Sequence, residues 1–217
     1  MSVGDLDGSG EMSNLILARV QRGDRVEVLR PLLDAGDVEC AKSLVFVLSE
    51  LGLRSIEVME WLDALLDFPD DFVQHYAIVA VQHSGSLEHG SIVAKAVSKL
   101  GGERAVSLAA LKLVALGSLG QIATAEDFLE DDLREAVIWL TGEHYDGFER
   151  FLAGEHGVAL VAVAAAYRLR AVDPAPLAIA ATDPRDAVAD AARFIARFQP
   201  LPAEGRDILH RIARRDG

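Results

Sequence analysis

Apolar residues recur at spacings of three and four along almost the whole 217-residue chain, and a slower rhythm runs over that helical one. The stretches DVECAKSLVFVLSELG, DDFVQHYAIVAVQHSG, GERAVSLAALKLVALGSLG, DDLREAVIWLTG, EHGVALVAVAAAYRLRAVD and DPRDAVADAARFIARF each open on a small or acidic residue and are apolar nearly all round. They begin near residues 37, 70, 102, 131, 155 and 183, at intervals of about 33, 32, 29, 24 and 28. The helices between them are one-sided. In SIEVMEWLDALLD, Glu57, Glu60, Asp63 and Asp67 follow one face and Val58, Met59, Leu62, Leu65 and Leu66 the other. A helix apolar all round must be buried on several sides, whereas a helix with one apolar face covers a core from outside. Alternating the two at a period of roughly 25–33 predicts an all-α superhelix, an α-solenoid of about six helical pairs. Each pair stacks on the last because no pair buries its own apolar surface alone. A compact helical bundle, the competing arrangement, needs no period.

The periodicity predicts helices near 12–21, 25–34, 37–51, 56–67, 71–84, 87–99, 103–117, 125–130, 132–141, 146–153, 157–171, 175–181, 185–198 and 203–215. Their connections are short, which makes successive helices antiparallel neighbours. Pro31 removes a backbone donor and clashes one turn back, so the second helix is kinked or broken there. Asp70 or Asp71 and Asp183 are placed as N-caps, beside Pro69 and Pro184. Residues 1–11, acidic and rich in Gly and Ser, read as a disordered start. Residues 12–217 read as one domain that ends in a capping helix at about 203–215.

Composition agrees with helix packing: 51% of the chain is apolar, mostly Ala, Val and Leu, and only 6% aromatic. The formal charge of −13 argues against a reader of nucleic-acid backbone or of an anionic membrane surface, since both tasks need clustered cations. The longest apolar run, VALVAVAAAY at 158–167, is about half a membrane span. The single cysteine, Cys40, excludes an internal disulfide and a cysteine zinc cluster, and it sits in an apolar helix where a thiol is usually inert. A cytoplasmic protein is the expectation.

DPRDAVADAARFIARF at 183–198, preceded by APLAIAAT, resembles a HEAT-type or armadillo-like helical repeat. LLDFPDDFVQHYAIVAV at 65–81 has the same layout, and AVSLAALKLVALGSLG at 105–120 ends as such repeats often do. The resemblance spans about residues 37–198 and implies the superhelical architecture. Where such repeats commonly carry Arg after Val, this chain has Gln74, Ser107 and Ala189. The repeats shorten between 120 and 155, where irregular helices are expected.

His75 and His83 close the two copies of Val-Gln-His. Residues eight apart on a helix lie about 80° and about 12 Å from one another, so the pair cannot share one ion. Glu88-His89, Glu143-His144 and Glu155-His156 form a second suggestive set. HEAT-like deoxyhypusine hydroxylases hold di-iron with His-Glu pairs, whereas here the order is reversed and the pairs fall in turns and helix starts. A metal-dependent oxygenase or lyase using those six residues is the alternative reading. No nucleophile elbow, phosphate loop or dinucleotide fingerprint is present. No catalytic residue and no cofactor is therefore assigned.

Two acidic clusters remain. One is Glu57, Glu60, Asp63 and Asp67. The other is Glu126, Asp127, Glu130 and Asp131, continuing to Asp132 and Glu135. Acidic ridges on a repeat surface attract a basic protein and speed its encounter. The expected function is therefore non-catalytic protein binding, as an adaptor, scaffold or neutraliser. One concrete form is a bacterial immunity protein masking a cationic toxin. The C-terminal end is basic, with Arg193, Arg197, Arg206, Arg211, Arg214 and Arg215, and self-association against the acidic ridges is a further option.

Overall fold

Thirteen α-helices and short 3-10 turns, with no strand, make up the described residues, so the protein is all-α. The computed structural model describes residues 7–142 and 145–198. The helices are α1 (Asp7–Gln21), α2 (Arg30–Ala35), α3 (Val38–Glu50), α4 (Met59–Leu66), α5 (Asp71–Ser84), α6 (Gly90–Val97) and α7 (Arg104–Leu116). They continue with α8 (Leu119–Ala123), α9 (Asp131–Thr141), α10 (Phe148–Leu152), α11 (His156–Leu169), α12 (Ala175–Ala180) and α13 (Asp186–Ile195). No single helix among them is long and apolar enough to cross a membrane. The capping helix expected at 203–215, with its arginines, lies outside the described residues.

Local chemistry explains most boundaries. Asp37 caps α3 by accepting the amides of Glu39 and Cys40 at 3.0 and 2.9 Å. Asp70 caps α5 through the Val73 amide at 3.1 Å, and Ser118 caps α8 through that of Gln121. Pro31 breaks the expected helix at 25–34. A 3-10 turn, Val26–Leu29, ends there, and Pro31 lies in the first turn of α2, where a missing N–H is harmless. Gly85 ends α5 in the left-handed region, at φ 59°. Two expectations are corrected. The first helix starts at Asp7, inside the segment expected to be disordered. Asp183 does not cap the last helix, which starts at Asp186. Its carboxylate grips Arg185 instead.

The core is a row of neighbours: α1 packs on α3, α3 on α5, α5 on α7, α7 on α11 and α11 on α13. Val73, Ala77, Ile78, Ala80 and Val81 of α5 are fully buried, as is nearly every residue of α11 from Val158 to Arg168. A second set covers the row. There α4 lies on α5 and α6, α6 on α8, and α8 on α9, while α10 and α12 pack on α11. Two helices depart from the sequence expectation. Residues 131–141 were expected in the row of helices buried all round. Yet α9 buries only Ala136, Val137 and Leu140, and it belongs to the covering set while α11 packs directly on α7. Conversely α6, expected to be one-sided, buries Ile92, Val93, Ala94, Ala96 and Val97 among α4, α5, α7 and α8. At eight residues it is short enough for its neighbours to close round it.

Polar side chains tie neighbouring elements to one another. His83 Nδ1 donates to the Ser49 carbonyl at 2.9 Å, and His75 Nδ1 to that of Ala105 at 3.0 Å. A carbonyl can only accept, so each Nδ1 carries the proton. The two histidines thus join α5 to α3 on one side and to the start of α7 on the other. Arg54 donates to the carbonyls of Val20 and Asp24, and Arg185 to those of Leu152 and Gly154. These partners are 30 to 34 residues apart. Arg185 also satisfies carbonyls left free at the end of α10.

Asp183 supplies a pH test. The hydrogen bonds from Arg185 hold its almost fully covered carboxyl below the ordinary value of 3.8. Its stabilising share is therefore complete above that value and is lost as pH falls through the lower folded one. The urea midpoints of the native chain and of Asp183→Asn are expected to differ at pH 7 and to converge as pH drops from about 4 toward 2. A constant difference would contradict the assignment.

Candidate functional site

Both acidic clusters are at the surface, but they are not equally free. Glu57 lies in a 3-10 turn, Gly52–Val58, and Glu60, Asp63 and Asp67 follow on α4 and its end; all four are exposed. Lys95 of α6 reaches across to two of them. Its Nζ stands 2.9 Å from Asp63 Oδ1, 2.6 Å from Asp67 Oδ2 and 2.7 Å from the Asp63 carbonyl oxygen. Lys99 adds a weaker pairing to Asp67 at 3.9 Å. Burial works against the Lys95 charge, yet the hydrogen bonds of Asp67 and Asp63 outweigh it and hold the ammonium above its ordinary value. Asp63 and Asp67 are thus clamps for α6, and of this cluster only Glu57 and Glu60 carry no ion pair among the described residues.

The second cluster divides as well. Glu126 turns inward and accepts the Thr141 hydroxyl at 2.7 Å. Asp131 pairs with Arg134 at 3.1 Å and Glu135 pairs with Arg150. Asp127, Glu130 and Asp132 are exposed and carry no ion pair among the described residues. Glu130, Asp131 and Asp132, at the start of α9, meet Glu155 at the start of α11 round an open cleft of about 850 Å³. Leu129, Leu133 and Val158 form its apolar lining, and Arg134 is the one cationic side chain in it. Four carboxylates at two helix starts face this hollow, a position that the helix dipoles favour.

The two Glu/His pairs among the described residues, Glu88-His89 and Glu155-His156, do not converge. Glu88 is exposed, and His89 turns to the Ser86 hydroxyl at 2.9 Å. Glu155 lines the acidic cleft, whereas its neighbour His156 lines a different hollow of about 280 Å³ with Arg104 and Asp190, themselves an ion pair at 3.3 Å. Glu143 and His144 lie outside the described residues. Among the described residues no three His, Cys, Asp or Glu side chains are grouped to hold a metal ion. Cys40 sits in the first turn of α3, where a helix start would favour the thiolate. The hydrogen bond to Asp37 pushes its thiol up instead, with burial adding to it.

Two features escaped the sequence reading. One is Arg168, buried in α11. The other is a group of exposed apolar side chains, Leu53, Leu87 and Phe128, on the turns that join the helices. A leucine on a helical period reads as core, and only packing reveals that these are not. A usable signal was present: residues 55–94 and 113–133 contain no Lys or Arg at all.

No family model matches this chain, no curated protein matches it, and no solved structure matches it.

Proposed function

We propose that this chain is a non-catalytic α-solenoid of HEAT-like helical pairs that binds a basic protein through its acidic surface, as an adaptor, scaffold or neutraliser. The solenoid reading is supported by the row α1–α3–α5–α7–α11–α13 and by the covering helices. The observation that carries the binding reading is the open cleft in which Glu130, Asp131, Asp132 and Glu155 face a single arginine already paired to Asp131. Like charges held together on a surface store repulsion, which a cationic partner relieves as it docks. Such an interface speeds encounter and weakens with salt.

The test uses charge reversal at positions that carry no internal tie. Asp63 and Asp67 are unsuitable because their reversal would set cations against Lys95. Glu130→Lys with Asp132→Lys leaves the core and the helix clamps intact. In affinity capture from the source cell at low salt, the native chain is expected to retain a saturable basic protein. The double variant is expected to lose about tenfold or more in affinity for it, each lost close charge pair contributing about 1.5 kcal/mol or more. Equal retention by both chains would remove the cleft from the binding surface.

A further inference from the structure

We infer that Leu53, Ile56, Leu87 and Phe128 form an apolar docking surface for an amphipathic segment of a basic protein, whose Lys or Arg side chains meet the carboxylates of Glu57, Glu88 and Asp127 at its rim. The inference rests on the binding reading above and gives that reading a second, apolar component away from the cleft.

Exposure comes first. Leu53, Leu87 and Phe128 are 74, 61 and 60% exposed, and with Leu15 they are the most exposed large apolar side chains of the described residues. Scattered singly, exposed leucines need no explanation; gathered together they mark an interaction surface. These three gather on one short connection, Gly85–Gly90, between α5 and α6. Leu53 leans over Gly85, its Cδ2 standing 3.6 Å from where a β-carbon would be. The Phe128 ring stands 3.0 Å from the corresponding point at Gly90. Leu87 belongs to the connection itself and leans over Gly120 of α8, again at 3.6 Å. Ile56, also exposed, follows Leu53 by three residues in a 3-10 turn, where such residues eclipse one another on one face. Three separate pieces of chain therefore deliver apolar side chains to one place.

Charge complementarity names the occupant. The turn around Ile56 and the Gly85–Gly90 connection come from the cation-free run 55–94, and Phe128 from the cation-free run 113–133. Three of the four apolar side chains have an exposed carboxylate beside them in sequence: Glu57 after Ile56, Glu88 after Leu87 and Asp127 before Phe128; Leu53 is followed by Arg54. None of the three carboxylates has an ion pair among the described residues. The two nearest cations are engaged elsewhere: Arg54 donates to the Val20 and Asp24 carbonyls, and Arg134 to the Glu126 carbonyl and Asp131. An apolar centre rimmed on every contributing segment by unpaired carboxylates fits a segment with apolar residues on one face and Lys or Arg at its edges. An acidic or purely apolar partner would leave the rim charges desolvated without a counterion.

The experiment titrates the full chain with three labelled peptides: an amphipathic helix of Leu and Lys, its Leu/Glu counterpart, and a Lys peptide without apolar residues. The Leu/Lys peptide is expected to bind most tightly. Leu53→Ser with Phe128→Ser is expected to weaken it about tenfold or more, as loss of apolar anchors does. Glu57→Lys with Glu88→Lys is expected to act in the same direction. All four positions are at the surface, and unchanged thermal melts will confirm folding. Glu130→Lys with Asp132→Lys, in the cleft, is expected to weaken this peptide less than either of those two variants does. If instead only the cleft variant loses binding, the basic-partner reading stands and this location falls. If no cationic peptide binds, both fall. If the chain proves to self-associate through Leu53 and Phe128, or if a peptide of its own residues 199–217 displaces the Leu/Lys probe at far lower concentration, the occupant is this chain itself and the inference as stated is overturned.

Discussion

Replacing Gly90 by alanine is expected to destabilise the protein by about 3 kcal/mol or more, the upper range for an overpacked core position. Gly90 opens α6 and is buried against the end of α8. A methyl group there would stand 2.9 Å from the Thr124 carbonyl carbon, nearer still to its oxygen, and 3.0 Å from the Phe128 ring. Backbone cannot swing aside as a side chain does. Thr124 closes α8 through its amide to the Gly120 carbonyl, and its hydroxyl bonds to Gln121. Gln121 in turn reaches the Val81 carbonyl of α5 at 2.7 Å. Nor can α6 retreat, because Ile92, Val93, Ala96 and Val97 are locked among its neighbours. The loss should appear as a lower urea midpoint at unchanged slope, and as a fall in Tm on the order of 6–12 °C. Gly101→Ala is the control. Its β-carbon would meet nothing within 4 Å, so a change inside about 0.5 kcal/mol is expected. A Gly90→Ala chain as stable as that control would refute the close approach of α6 to α8.

The second large effect is expected at Arg168. This guanidinium is only 6% exposed and lies at the C-terminal end of α7. Its Nε and Nη2 donate to the Val114 carbonyl at 3.0 and 2.7 Å, and Nη2 also donates to that of Gly117 at 2.6 Å. The last carbonyls of a helix have no partner within it, and a cation there also meets the negative end of the dipole. No carboxylate pairs with Arg168 among the described residues. Burial therefore dominates and pushes its value down to about 10, against a smaller opposing influence of Tyr145 and Tyr167. Arg168→Met keeps the length but leaves two buried carbonyls without donors, and is expected to cost about 2–4 kcal/mol. Arg168→Lys should recover only part of that, since one ammonium lacks the planar fork that serves both carbonyls. The sign of the pH effect follows from the lowered value. Above about 10 the unfolded chain binds more protons than the folded one, so this residue's share of stability rises with pH there. The gap between native chain and Arg168→Met is expected to widen from pH 9 to pH 11 in urea titrations. A gap that narrows would mean that the guanidinium is not held as described.

Most helices could be read directly from the chain. The 3.6-residue pattern placed α3, α5, α7 and α11 near their observed bounds. Asp37 and Asp70 cap as their positions suggest, since a cap bonds to amides two or three residues away. Pro31 marks a real break for an equally local reason. Layer assignment was less legible. The run at 131–141 looks apolar all round, yet Ile138 and Trp139 are not buried, because α11 takes the place beside α7 that α9 would have filled. The two acidic clusters were visible as charge, but their division into clamps and free carboxylates was not. Asp63 meets Lys95 across 32 residues, and nothing near Asp63 in the chain announces that lysine.

What the sequence determined alone is the all-α character, the helix ends and the net negative charge, because each rests on the residues themselves or on neighbours within a turn. Tertiary structure alone decided which carboxylates stay unpaired, which apolar side chains remain at the surface round Gly85–Gly90, and why Arg168 can be buried. Most of those outcomes depend on contacts 15 to 54 residues apart. At such distances the chain's local pattern carries no record of what a side chain will meet.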